Sequence, residues 1–405
     1  MNILLLTNAI AQPDDIDKGI NDLVFSFARS WKELGHNIII VNNESCFPLV
    51  YYKLPKFLIN FFKARSNFTV PSISSRSYLE FSRDNIDIVR MPIKKVFPHS
   101  SFSKKKYKNQ EKKIIDYLDK KNFIPDIVVG HWLEPQIVLI NELGFLYNAK
   151  KALVMHSELN LKIIRKYLNQ FNALDVLFFR SFPTTKKMIE LFGDKIKCEI
   201  ETCYSGIPDS YANNDLSKKS WKENDVLHFI FVGRLVKYKK LDVLIKALAQ
   251  TFSKDKYVLK IIGDGPEKQN IEELIRTLRL NDSIFMLGRM NRDLVVREMN
   301  SSDCFVMVSE NEVFGLVYLE AMACGCITVA SLNGGVDGII LNGINGFLSV
   351  QGSVDSLKTV LKEINELDNV TIGKIRNCAK NTIKGYTDTE AAKHYLNCII
   401  KEKER

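Results

Sequence analysis

The sequence predicts an α/β protein made of two Rossmann-like, doubly wound domains that face a central cleft. Three observations carry that expectation. At 405 residues the chain exceeds what one ordinary core serves, so two domains are expected. Two segments, NILLLTN at the start and HFIFVGR at 228–234, each read as a short apolar strand followed by a polar loop and a helical pattern. Further strand and helix patterns alternate after each, which means a parallel sheet with crossover helices.

In the first half, NILLLTN leads to the helix DLVFSFARSWKELGH and the strand NIIIVN. Strands DIDIVRM, DIVVGHW, KALVMHS and DVLFFRS follow. In the second half, HFIFVGR leads to the helix LDVLIKALAQTF and the strand YVLKIIGDG, then SIFMLGR, DCFVMVS and ITVASLN. A polar stretch at 204–225, with Gly206 and Pro208 and no apolar period, joins the halves. The expected organisation is a first domain over 1–205, a linker over 206–225, a second domain over 226–384 and a closing helix over 385–405. Ligands of open parallel sheets sit at the carboxyl ends of the strands, so the residues that follow each strand are the ones to inspect.

Composition narrows the class. The chain is 46% hydrophobic and 26% charged, as soluble globular proteins are. No apolar run reaches the ~18 residues of a membrane span. MNILLLTNAI has neither a basic n-region nor a small-residue cleavage site, so a cytoplasmic protein is expected. The eight cysteines form no metal-type C-x-x-C pair and read as small buried hydrophobes. The net charge of +10 is uneven: Lys104, Lys105, Lys106, Lys108, Lys112, Lys113, Lys120 and Lys121 crowd one stretch. Upstream, YYKLPKFLINFFKAR places Leu54, Phe57, Leu58, Phe61 and Phe62 at helical spacing between lysines. Two readings stay open there. One is a basic amphipathic helix lying on an anionic membrane, at the inner face of the cell membrane; the other is a surface helix with a solvated lysine face. Nucleic acid is not an expected partner, because the lysine clusters lack interleaved arginines and aromatics.

The densest chemical signal is SENEVFGLVYLEAMACG at 309–325. Glu312 falls in a loop after the strand DCFVMVS, and Glu320 falls on the helix that follows. At 1.5 Å per residue the two acids stand about 12 Å apart, far enough to meet different parts of one long ligand. Gly315 at the helix start lets a phosphate approach free N–H groups. Upstream, Arg234 and Lys239 in VGRLVKYKKLDVLI lie between a strand and a helix. Two fixed cations there would stabilise the charge of a departing diphosphate without a metal. Lys237 and Lys240 read as solvated loop lysines. No Asp-x-Asp follows an apolar strand, and Asp14-Asp15 lies in a polar loop.

These stretches, in order over 229–348, resemble the family 4 glycosyltransferases: retaining enzymes of the GT-B fold and the group 1 type. The resemblance rests on FVGRLVKYKKLDVLIKAL, IIGDGPEKQNIEELI, IFMLGRM, SSDCFVMVSENEVFGLVYLEAMACG, NGG and NGINGFL. It implies that Arg234 and Lys239 hold the donor diphosphate, Glu312 the donor sugar and Glu320 the ribose. It further implies that backbone at Phe314, Gly315, Leu316 and Val317 meets the phosphates, and that Leu287–Arg289 meets the base. Gly233 and Gly288, each closing a strand, belong to the same donor site. In the first half Gly19 takes the place of the family's paired glycines. His131 stands where the family has a histidine beside the donor sugar, and His156 ends a strand in a similar place. The nucleotide sugar is a substrate, no cofactor or metal is expected, and the acceptor is a carbohydrate or a lipid-linked one. The chain departs from the family at Val308-Ser309, at Ile327 and at Asp337, which stands one place before the usual glutamate. Two other readings are a nucleotide-sugar epimerase of the same fold and a non-catalytic membrane- or polyanion-binding protein. The intact Glu312–Glu320 and Arg234–Lys239 pairs argue against both.

Overall fold

A computed structural model of the chain describes residues 1–10, 23–55, 73–97, 100–156, 160–212 and 219–401. The chain divides into two compact units. One comprises Met1–Phe179, Met188–Cys203 and Ala392–Arg405; the other comprises Arg180–Lys187 and Tyr204–Ala391.

The first unit is built on eight strands: β1 (Asn2–Thr7), β2 (Asn37–Asn42), β4 (Leu79–Arg83), β5 (Ile86–Arg90), β7 (Ile127–His131), β8 (Lys150–Met155), β9 (Val176–Phe179) and β10 (Glu199–Thr202). Their order is β10-β9-β8-β7-β1-β2-β5-β4. A two-stranded parallel ladder, β3 (Ser45–Cys46) with β6 (Ile93–Lys94), stands beside it. Ile3 to Leu6 are fully buried, which marks a strand covered on both faces. The exception to the parallel pattern is β4, an antiparallel edge strand. Asp84 and Asn85, at φ 52° and 58°, make the tight turn that reverses the chain there.

The second unit has six parallel strands: β11 (Leu227–Val232), β12 (Tyr257–Ile262), β13 (Ile284–Gly288), β14 (Cys304–Val306), β15 (Ile327–Ser331) and β16 (Phe347–Ser349). They run β13-β12-β11-β14-β15-β16. In both sheets the chain winds outward one way and then returns to the middle to wind the other. The reversal falls between β1 and β7 in the first unit and between β11 and β14 in the second.

Six of the eight cysteines are buried and all are free; burial pushes the Cys304 and Cys326 thiols up. No helix among the described residues is long and apolar enough to cross a membrane.

The last helix, Asp388–Ile400, belongs to the first unit from Ala392 onward. There Trp31 Nε1 donates to the Ala392 carbonyl at 2.8 Å, and the Trp31 and Phe27 rings pack on Tyr395. Trp31→Phe removes this second donor from the Ala392 carbonyl, at a cost of about 1 kcal/mol. Thermal unfolding should fall by several degrees; an unchanged midpoint would show that this bond does not anchor the helix.

Candidate functional site

The second unit's reversal point puts the carboxyl ends of β11 and β14 side by side, where open sheets hold ligands. β11 runs into Gly233 and Arg234, then a 3₁₀ turn at Lys237–Lys239 that ends with Lys240 at φ 53°. β14 runs into the loop 307–315. Three contacts lace the two loops together. Glu310 N donates to the Tyr238 carbonyl at 2.8 Å, Lys240 pairs with Glu310 at 2.8 Å, and Lys239 pairs with Glu312. Lys240 is thus an ion-pair partner of the site loop, not the solvated lysine the sequence led us to expect; Lys237 is exposed. Arg234 is exposed beside them and makes no ion pair among the described residues.

The loop 312–315 turns sharply into the helix Leu316–Ala323. Gly315 caps it at φ 87°, a conformation that side chains rarely adopt, and a Cβ there would sit 2.7 Å from the Tyr318 ring. Tyr318 cannot yield. Its hydroxyl donates to the Met307 carbonyl at 2.8 Å, its ring lies edge-on to Phe305, and burial pushes its pKa up. From the other side Gly335 presses on the loop, since a Cβ on it would come within 2.6 Å of Phe314 N. Phe314 is buried, with the Arg180 guanidinium 5.6 Å from its ring centroid. No side chain caps the helix start at Gly315, so the first N–H groups of the helix, at the positive end of its dipole, have no side-chain acceptor.

Glu320 lies on that helix and pairs with Arg292 at 2.5 Å. Burial lowers the Arg292 pKa, but Glu320 and Tyr211 outweigh it and the net shift is upward. The same guanidinium stands 5.4 Å from the Tyr211 ring centroid. On the far side of β11, Gly233 N donates to the Ile262 carbonyl and Gly263 N to the Gly288 carbonyl, which aligns the loops after β11, β12 and β13. Leu287 and Gly288 are half-buried, and Arg289 lies 3.9 Å from Asp264. The Asp337 carboxylate accepts from Asn333 N within its own turn.

In the first unit His131 closes β7 at the reversal point and is fully buried. Its Nδ1 lies 2.9 Å from Nε2 of His156, which follows β8 and is half-buried. Trp132, at φ 66°, stacks on the His156 ring at 4.1 Å. Phe27 and Tyr395 enclose His131 from the other side. The two histidines therefore form one unit, with His156 its more exposed member. Gly19 lies outside the described residues, as does the 53–63 stretch from residue 56 on.

The structure brings together Arg234, Lys239, Glu312, Phe314 and Gly315 on two laced loops, with Glu320 on the helix those loops start. Sequence reasoning missed Arg292, Tyr211 and Gly335. The GG pair after a strand is the one local signal that could have marked Gly335.

The fold is that of a GT-B protein, with the laced loops at the reversal point of its second unit. Residues 213–384 match the family described as glycosyl transferases group 1, and that segment is a group 1 glycosyltransferase domain. The chain is similar to N-acetyl-alpha-D-glucosaminyl L-malate synthase of Bacillus anthracis, with 32% identity over 159 residues, 38% of this chain and 41% of that protein. The matches to two further relatives, uncharacterized glycosyltransferases of Methanocaldococcus jannaschii, cover 57% and 35% of their lengths. The chain thus spans less than two thirds of these curated relatives. Among solved structures it is similar to a glycosyltransferase from Rickettsia africae (18% identity, TM-score 0.67, covering 99% of both chains). It is also similar to HepE of Anabaena in complex with UDP (16% identity, TM-score 0.68, covering 98% of this chain and 99% of that one).

Proposed function

We propose that the chain is a retaining glycosyltransferase. It moves a sugar from a nucleotide-diphosphate sugar to a hydroxyl acceptor, in the synthesis of a cell-surface polysaccharide or glycolipid. The observation that carries this reading is the Lys239–Glu312 pair at the β11/β14 reversal, beside exposed Arg234 and the uncapped helix start at Gly315. One spot then offers two cations and free N–H groups to a diphosphate, and a carboxylate to sugar hydroxyls. The diphosphate competes with Glu312 for Lys239, which frees Glu312 for the sugar. Glu320, steadied by Arg292, takes the ribose. Gly233 and Gly288 line the donor path, and the family resemblance assigns His131 to the donor sugar and Gly19 to the donor phosphates. As the sugar–phosphate bond breaks, its electrons stay on the diphosphate, whose oxygen takes the proton of the attacking acceptor hydroxyl on the same face. Configuration is then retained without a covalent intermediate on the protein. HepE is described in complex with UDP, which makes UDP the first nucleotide to test.

Glu320→Gln should weaken UDP binding about tenfold, because a ribose contact is shared by ground and transition states. Glu312→Gln should leave UDP binding intact and lose transfer. Calorimetry showing both variants binding UDP like the wild type would remove the ribose role.

Turnover should persist in excess chelator, because Arg234, Lys239 and the helix start meet the leaving charge. Arg234→Ala should cut it by ~100-fold, the usual loss for a preorganised charge-stabilising group. Chelator inactivation reversed by magnesium or manganese would overturn the metal-free reading.

The acceptor side is read as contacting an anionic membrane. On the helix Lys104–Lys120, Lys104, Lys105, Lys108 and Lys112 are exposed, whereas Lys120 and Lys121 are held by Glu80 and Asp87. Each exposed lysine contributes about 1 kcal/mol near an anionic surface. Sedimentation with anionic vesicles should fall with salt and with Lys104→Gln, Lys105→Gln and Lys108→Gln combined. No sedimentation at low salt would leave these lysines a solubilising role only.

A further inference from the structure

The second unit contains a cavity of about 310 Å³ that the donor site does not use. It lies between the loop after β11 and two helices, Leu241–Thr251 and Lys268–Thr277. Arg234, Lys239, Glu312 and Glu320 do not line it. Buried Leu235, Leu241 and Ile271 make its floor apolar, and exposed Lys237 and Asn270 mark its rim. Binding pockets for small molecules begin at about this volume. The walls are already in place. Glu267 N donates to the Leu235 carbonyl and Leu235 N to the Asp264 carbonyl, each at 3.0 Å. A Cβ on Gly265 would strike the Leu235 backbone, so loop and turn are in direct contact there.

The charges at the rim are not equally committed. Lys246 pairs with Asp242 at 2.9 Å, and Asn270 Nδ2 donates to Glu267 at 3.0 Å. Lys237 makes no ion pair among the described residues. Lys240 lines the cavity, but its acid partner does not: Glu310, 2.8 Å away, stands on the site loop 307–315. The Glu310 side chain is 42% exposed, and an ion pair so open to water contributes little by itself. No side chain caps the helix Leu241–Thr251, whose start borders the cavity and favours an anion. An anion entering there finds Lys237 open and Lys240 weakly held.

The lining also narrows the kind of anion. Its three cations are all lysines, which meet phosphate as point charges, whereas planar pairing with carboxylates is the work of arginine. The apolar floor asks for an apolar body beside the charge.

We propose that this cavity is an effector site for a phosphate monoester with a small apolar body. Its phosphate draws Lys240 from Glu310, which frees the site loop from one of the contacts that hold it in register beside Lys239 and Glu312. Ligand in the cavity therefore weakens donor binding, and donor weakens the ligand by the same factor. The effect on the donor rests on the transferase reading; occupation of the cavity does not.

The test is calorimetric titration of the full chain with phenyl phosphate, inorganic phosphate and phenol, and with UDP in the presence of each. Phenyl phosphate should bind at least about tenfold tighter than inorganic phosphate, because its ring is buried on the floor, and tighter than phenol by a similar factor, because of its charge. Lys237→Gln and Asn270→Asp should each weaken phenyl phosphate about fivefold and leave UDP binding as in the wild type. As phenyl phosphate is raised, the UDP dissociation constant should climb and level off at about two- to fivefold, the weight of a half-exposed ion pair. A climb with no plateau would mean competition within the donor site and overturn the assignment, as would phenyl phosphate binding indifferent to both rim variants. In Glu310→Gln phenyl phosphate should still bind while its effect on UDP disappears; an effect that persists would overturn the route through Lys240. Phenyl phosphate bound with UDP affinity unchanged would overturn the effector role. Failure of the wild type to bind UDP would overturn the transferase reading and the effector role with it, while binding of phenyl phosphate through Lys237 would still uphold the site.

Discussion

The ion pair of Lys239 with Glu312 is the contact on which the second unit's site depends. Both side chains are largely enclosed, at 12% and 16% exposure. Removing two charges from water costs more than their attraction returns unless the geometry is fixed by other bonds. Here it is fixed: the Glu310 N to Tyr238 carbonyl bond and the Lys240–Glu310 pair hold the same two loops in register. The pair is therefore better understood as a positioning device than as a source of stability. It keeps a cation and an acid at one place, where a ligand that can trade with either partner enters without leaving an unpaired charge.

That place follows from topology. The chain leaves β11 toward β12 and returns at β14, so these two neighbouring strands send their following loops in opposite directions. A crevice opens between them, and the residues that follow each strand line it. The loop after β14 must then turn within a few residues into Leu316–Ala323. The φ of Gly315 and the press of Gly335 on Phe314 leave no room for side chains at either position. Tyr318, tied to the Met307 carbonyl, holds the helix start at a fixed height above the strand. Glu312, the free N–H groups and Glu320 are thus spaced by one rigid turn and one short helix.

What could be read in advance was local. The runs of β1 and β11 announced themselves by apolar periodicity, and the site acids by their spacing around one helix. The partners of those acids were not legible in the same way. Arg292 belongs to another helix, 28 residues before Glu320, and nothing in its neighbours marks it. The Tyr211 ring beside it comes from the polar stretch that joins the two halves. The antiparallel strand β4 depends on positive φ at Asp84 and Asn85, a turn signal outweighed by the parallel pattern around it. The lysine stretch at 104–121 was visible as charge, but only packing distinguishes Lys120 and Lys121, held by acids, from the exposed lysines before them. Long-range pairing is the common reason, since it is decided by which loops the fold brings together.

The histidine pair shows how such pairing changes chemistry. His131 and His156 end adjacent strands, and each alone reads as an ordinary strand-end residue. With Nδ1 of one 2.9 Å from Nε2 of the other, two imidazolium rings would set N–H against N–H. The pair can therefore keep its contact only while it carries at most one positive charge. Phe27 and Tyr395 close the buried side of His131, and the Tyr395 helix is itself held by the Trp31 bond to Ala392. His131 is the enclosed ring of the pair and His156 the ring nearer solvent. A residue far along the chain thus helps to hold the histidine pair at the carboxyl end of the first sheet.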